Sequence, residues 1–149
     1  MKKNEEMIKY NHRKERRICR MLRVYTSEQN SVQVGPHFRV KEFACKDGSP
    51  ITFIDDYMVT ILELLRKELG NKPIIITSGY RTPAHNAKMG GAKYSYHMRG
   101  QAVDIRVNGI SPKKVAKALD KIVGGCGIIV YESWVHFDVR DGKKYRKGV

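Results

Sequence analysis

His97 and Asp104 stand seven residues apart in the stretch Ser95-Tyr96-His97-Met98-Arg99-Gly100-Gln101-Ala102-Val103-Asp104, and His136 follows in Trp134-Val135-His136-Phe137-Asp138-Val139. Two imidazoles and one carboxylate form a donor set that suits a single zinc ion and leaves a fourth tetrahedral position open for water. An ion held in this way brings the pKa of its water towards neutrality and polarises a carbonyl, so the chemistry on offer is hydrolysis. A closed structural site would require four protein ligands, often thiolates, and Cys19, Cys45 and Cys126 are not spaced to supply them.

A His and an Asp seven apart also occur by chance, so the weight falls on the elements that must position them. Over residues 102–107, strand alternation sets Val103, Ile105 and Val107 on one face and Asp104 on the other. Residues 127–131 read as another strand, and residues 134–140 as its neighbour after a short turn. There Val135, Phe137 and Val139 share the core face, while Trp134, His136 and Asp138 share the opposite one. Two strands thus each set a metal-type side chain behind an apolar face.

The remaining segments supply what such strands pack against. Residues 24–50 read as short extended pieces and a loop closing at Gly48-Ser49-Pro50, with His37 outside any ligand-like spacing. Residues 52–69 carry Phe53, Tyr57, Met58, Ile61, Leu62, Leu65 and Leu69 at helical spacing, and Gly70-Asn71 with Pro73 gives the stop. Ile74-Ile75-Ile76-Thr77 is a short β-branched strand that delivers Ser78-Gly79-Tyr80-Arg81 to the sheet edge. Thr82-Pro83 resembles a cap with proline at the first helical position, opening a short helix through His85, Asn86 and Lys88. Ser111-Pro112 opens a second amphipathic helix through Val115, Ala116, Leu119, Ile122 and Val123. The expected fold is α+β, a small antiparallel sheet carrying the metal site and packed against helices. One domain over residues 24–149 is expected behind a basic N-terminal extension over residues 1–23.

The chain has 29 Lys plus Arg against 15 Asp plus Glu, a formal charge of +14, which favours polyanionic surroundings. Basicity alone motivates a nucleic-acid reading, but no recognition motif accompanies it, and no specific nucleic-acid partner is expected. Three cysteines without a close pair suggest no disulfide framework. No run approaches the roughly 18 to 20 apolar residues of a membrane span, and the N-terminus lacks the apolar region of a signal peptide. Met21 is an alternative start.

The pattern Ser95-x-His97-x-x-Gly100-x-Ala102-x-Asp104, with Trp134-Val135-His136-x-Asp138 after it and Ser78-Gly79-Tyr80-Arg81-Thr82 before it, resembles the zinc D-alanyl-D-alanine carboxypeptidase and peptidoglycan endopeptidase family. That family shares its metal-site fold with the hedgehog signalling domain, and the likeness runs in order from about Phe38 to Arg140. The resemblance implies that His97, Asp104 and His136 are the ligands of one Zn2+, that Arg81 binds substrate and polarises its carbonyl, and that Ser95 contacts substrate. Gly100 and Ala102 fall on small positions near the metal. Tyr80, Tyr94, Tyr96 and Trp134 are aromatic candidates for lining the cleft, while His85 reads as a surface or cleft histidine rather than a fourth ligand.

The general base is where the chain departs from the better-known members. They carry Asp or Glu three residues before the last ligand, where this chain has Ser133, and the nearest carboxylate is Glu132. Four residues of continuous strand span about 13 Å, so the turn before Trp134 would have to fold Glu132 back. Asp138 is the competing candidate, with orientation of His136 as its expected role.

The resemblance implies a zinc metallopeptidase that hydrolyses stem peptides or cross-links of bacterial peptidoglycan. An endopeptidase of phage-lysin or wall-remodelling type is favoured over a carboxypeptidase. The alternative is a catalytically inactive, zinc-containing module that binds the wall or forms part of a phage particle. On either reading the place of action is the bacterial cell wall, whose anionic polymers would account for the charge.

Overall fold

The computed structural model describes residues 20–149, so most of the basic stretch read as an N-terminal extension lies outside the described residues. Strand β1 (Leu22–Thr26) pairs antiparallel with β4 (Ile51–Asp55). Pairing therefore reaches back into the stretch read as the extension. Arg20 fastens this end: its Nη2 donates to Asp55 Oδ2 at 3.0 Å and to the Val139 carbonyl at 2.6 Å, and its guanidinium lies over the Tyr57 ring.

Between these strands come β2 (Gln33–Gly35), β3 (Phe38–Arg39) and the single turn α1 (Val40–Phe43). The helix expected from residue 52 begins later. Thr52 to Asp55 belong to β4, and α2 covers Asp56–Glu68. Thr52-Phe53-Ile54 is a β-branched and aromatic run that finds a strand partner in β1. Asp55 then caps the helix by accepting from the Tyr57 amide at 3.0 Å.

The main sheet has five strands in the order β5-β6-β8-β7-β9: β5 (Ile74–Ser78), β6 (Ala102–Val107), β7 (Gly127–Val130), β8 (Val135–Asp138) and β9 (Tyr145–Lys147). All neighbours are antiparallel except β7 and β9, which run parallel. Strand β9 has no apolar alternation to announce it. Arg146 holds it in place, with Nε donating to Asp120 Oδ1 at 2.7 Å and Nη1 to the Cys126 carbonyl at 2.9 Å.

Helix α3 (Pro83–Lys88) starts as expected, with Thr82 Oγ1 accepting from the His85 amide and Pro83 in the first turn. Helix α4 (Pro112–Ile122) is capped in the same way by Ser111. Ile61, Leu62 and Leu65 of α2 and Val115, Ala116 and Leu119 of α4 are buried with Val103, Ile105, Ile128, Val135 and Phe137 of the sheet. One face of the sheet is thereby committed to the core. The other is left for Asp104, His136 and Asp138.

Candidate metal centre

Antiparallel pairing of β6 with β8 puts Asp104 and His136 directly opposite one another, on the face away from the core. The third donor comes from a 3-10 turn, Tyr96–Arg99, which starts where Ser95 Oγ accepts from the His97 amide at 3.3 Å. The turn ends at Gly100, whose φ of +68° suits glycine and whose carbonyl accepts from the Asp55 amide at 2.9 Å. A Cβ at Gly100 would strike the Phe53 backbone, which accounts physically for the small residue in the motif.

The three side chains converge. His97 Nε2 lies 3.3 Å and His136 Nδ1 3.1 Å from Asp104 Oδ1, and one donor atom from each residue lies within 4.8 Å of the others. Each histidine has its outer nitrogen occupied by an oxygen: His97 Nδ1 by the Gly79 carbonyl at 2.7 Å, His136 Nε2 by Asp138 Oδ2 at 2.9 Å. A proton on each outer nitrogen leaves both inner lone pairs aimed at one point, the arrangement a metal-ligating histidine needs. The donor set therefore fits a borderline divalent cation such as zinc. Among the described residues this is the one group of three such side chains close enough to share an ion.

The electrostatics agree. Burial pushes the Asp104 carboxyl up, but hydrogen bonds from His136 and His97 outweigh it and hold the group well below the usual carboxylate range. Burial likewise works against a charged His136, yet its bonds to Asp104 and Asp138 raise its pKa overall. Asp138, fully buried, is opposed by burial and rescued by Arg140 and His136, ending at about 2.

Arg81 completes the floor. Its Nε donates to Ser78 Oγ at 2.9 Å and its Nη2 to Asp104 Oδ2 at 3.1 Å. Above lies an open cleft of about 420 Å3, lined among others by Arg81, Tyr94, Ser95, Tyr96, Trp134 and His136. At its rim the Tyr131 and Trp134 rings stack, with centroids 4.5 Å apart and planes 12° from parallel.

Of the residues singled out by sequence, His97, Asp104, His136, Arg81, Ser95, Tyr96, Tyr94 and Trp134 thus meet at one place. Tyr80 does not join them. It is buried against Phe53, ring centroids 5.2 Å apart, outside the cleft lining. Neither His85 nor Glu132 lines the cleft. Glu132 is exposed in the β7–β8 turn, which the Tyr131 amide closes on the Trp134 carbonyl at 2.9 Å. Asp138 faces His136 as a partner of its outer nitrogen. Sequence reasoning missed the Gly79 carbonyl, Tyr131 and Arg140. Only Arg140 carried a readable signal, because alternation along β8 continues from His136 and Asp138 to it.

An arginine beside three inward-facing donors, at the floor of an open cleft, is an arrangement suited to hydrolysis assisted by a metal ion. Residues 36–138 match the model of the Peptidase M15 family, and the chain belongs to that family. It is similar to the peptidoglycan L,D-endopeptidase MepK of Escherichia coli K12, 37% identical over 98 residues, covering 61% of this chain and 54% of that protein. It is also similar to the probable peptidoglycan L,D-endopeptidase MepK of Haemophilus influenzae, 34% identical over 76 residues, covering 47% of this chain and 41% of that protein. A shorter likeness, 41% over 44 residues, links it to the zinc D-Ala-D-Ala carboxypeptidase of Streptomyces albus G, covering 30% of this chain and 17% of that enzyme. The chain spans about half the length of the MepK proteins it matches.

Proposed function

We propose that this chain is a zinc metallopeptidase that hydrolyses peptide bonds in bacterial peptidoglycan, as an endopeptidase on stem peptides or cross-links of phage-lysin or wall-remodelling type. The observation that carries the reading is the convergence of His97, Asp104 and His136 beside Arg81 at the floor of an open cleft. The named activities of the MepK relatives support the substrate class and the endopeptidase choice.

His97, Asp104 and His136 would hold the ion, and zinc bound there would supply Lewis acidity for attack of water on a peptide carbonyl. Arg81, kept in place by Ser78 and Asp104, presents its guanidinium to the oxygen of that carbonyl as negative charge develops on it. Ser95, Tyr96 and Trp134 position the peptide along the cleft. Glu132 is the proposed general base: among nearby carboxylates Asp104 is a ligand and Asp138 is buried between His136 and Arg140. Its role requires the β7–β8 turn to bring it over the cleft on substrate binding.

The place of action is the cell wall, and anionic wall polymers are the partners that the +14 charge fits. Among the described residues no helix is long and apolar enough to cross a membrane.

The deciding experiment is mass analysis of purified muropeptides after incubation with zinc-loaded protein beside a chelated sample. New peptide termini that appear only with zinc are the expected result, and fragment masses identify the bond. The position of Glu132 outside the cleft lining favours one other reading, an inactive zinc-containing module that binds wall or belongs to a phage particle. Wall binding without cleavage across varied wall types would establish that reading instead.

A further inference from the structure

Arg140 lies two residues past the 36–138 match to the family model, and it touches Asp138, the partner of His136, and Tyr96, the neighbour of His97. Its Nε donates to Asp138 Oδ1 and its Nη2 to Asp138 Oδ2, both at 2.7 Å, a two-pronged pairing that fixes the carboxylate plane. The same carboxylate accepts from His136 Nε2. The guanidinium also lies 4.9 Å from the ring centroid of Tyr96, the residue before His97, and 4.7 Å from that of Tyr145 in β9.

The sheet makes room for this group. Gly127 of β7 is the cross-strand partner of Asp138 on one side and of Tyr145 on the other. A Cβ at Gly127 would come within 2.6 Å of Asp138 Oδ1 and 2.7 Å of Arg140 Nε, so the missing side chain is the space that the pair occupies.

We propose that Arg140 is a positioning residue of the metal centre: through Asp138 it orients His136, through Tyr96 it steadies the turn bearing His97, and through Tyr145 it makes β9 part of the site. The guanidinium fork holds Asp138 in one plane, and Asp138 in turn holds the His136 tautomer with its Nδ1 lone pair facing inward. An ammonium cannot reproduce that fork.

This inference rests on the three donors being a zinc site, and its test is metal affinity rather than turnover. Zinc is titrated against a competing chromogenic chelator, and Co2+ absorption is recorded, for the wild-type chain and for Arg140→Met, Arg140→Lys, Asp138→Asn and each Arg140 variant combined with Asp138→Asn. The expected result is a loss of about 10- to 100-fold in affinity for Arg140→Met with an altered Co2+ visible spectrum. Arg140→Lys should recover little of it. If Arg140 acts through Asp138, each double variant binds zinc about as weakly as Asp138→Asn alone.

Affinity within twofold of wild type for Arg140→Met, or losses that add in full in the double variants, would overturn the proposal. Arg140→Lys keeps the charge and the stem between the rings, so it carries the cycle should Arg140→Met not fold. A wild-type chain that binds no zinc would sink the zinc reading itself. A wild type that binds zinc no better than the Arg140 variants would sink only the positioning role.

Discussion

Arg81 and Asp104 share a hydrogen bond of 3.1 Å through Asp104 Oδ2, while Asp104 Oδ1 faces both histidines. One carboxylate therefore serves the guanidinium with one oxygen and the metal-facing donors with the other. Substituting the arginine removes this guanidinium and leaves the three donor side chains in place. Arg81→Lys is expected to lower kcat by about 100- to 1,000-fold, the scale of losing one preorganised donor to a developing oxyanion. Zinc affinity should fall less than tenfold. Steady-state kinetics on a defined muropeptide, read beside metal content, separate the two effects.

Glu132→Gln tests whether the exposed β7–β8 turn carries the proposed general base. With Glu132 as the base, turnover drops by about 100-fold or more while zinc remains bound. Turnover equal to wild type would remove Glu132 from the mechanism and leave the proton to another group on the cleft.

Phe137 sits between His136 and Asp138 in β8 but points the other way, fully buried against Val103 and Ile128, its cross-strand partners. Truncation to alanine opens a cavity behind the donor strand and should destabilise the chain by about 3–5 kcal/mol. Urea unfolding in the presence of a chelator measures this without the contribution of metal binding. A loss below about 1 kcal/mol would mean that the β8 core face is packed less tightly than described.

The pH dependence of the metal-free chain follows from two opposite shifts. Asp138 titrates at about 2 in the folded chain against an ordinary value of 3.8, so its contribution is present above pH 3.8 and fades as pH falls towards 2. His136 is shifted upward from 6.5, so its contribution is present below 6.5 and fades as pH rises through the raised value. Chelated protein should be most stable between about pH 4 and 6.5 with respect to these groups. Bound zinc needs His136 neutral with Nδ1 free of its proton, so the alkaline decline should disappear in the loaded protein. A chelated chain whose stability climbs steadily from pH 6 to 8 would contradict the assignment.

Burial pushes the Cys126 thiol up to about 11. Native protein at pH 8 should leave Cys126 unalkylated by iodoacetamide over a time that labels it fully in urea. Peptide mass mapping reads the site directly, and rapid labelling of native Cys126 would mean that the β7 end of the sheet opens readily.

Much of the site was legible because strand alternation is a local property. Val103 and Ile105 against Asp104, and Val135 and Phe137 against His136, each declare two faces within a few residues. The capping residues Thr82 and Ser111 were legible for the same reason. What escaped depends on partners far along the chain. Phe53 and Ile54 fit a helical pattern as well as a strand, and only pairing with β1 decides between them. Strand β9 consists of Tyr145, Arg146 and Lys147, with no apolar alternation, and is fixed by Asp120 and the Cys126 carbonyl. The Gly79 carbonyl that orients His97 could not be read from any side chain.

The pairing of β6 with β8 also sets when the centre comes into being. Asp104 and His136 are 32 positions apart, with α4 and β7 between them, so a growing chain holds two donors well before the third is made. Until β8 docks there is no pocket of three inward lone pairs and no tight hold on a metal. A stalled or clipped product ending before β8 lacks His136, so the three-donor centre exists only in the completed sheet.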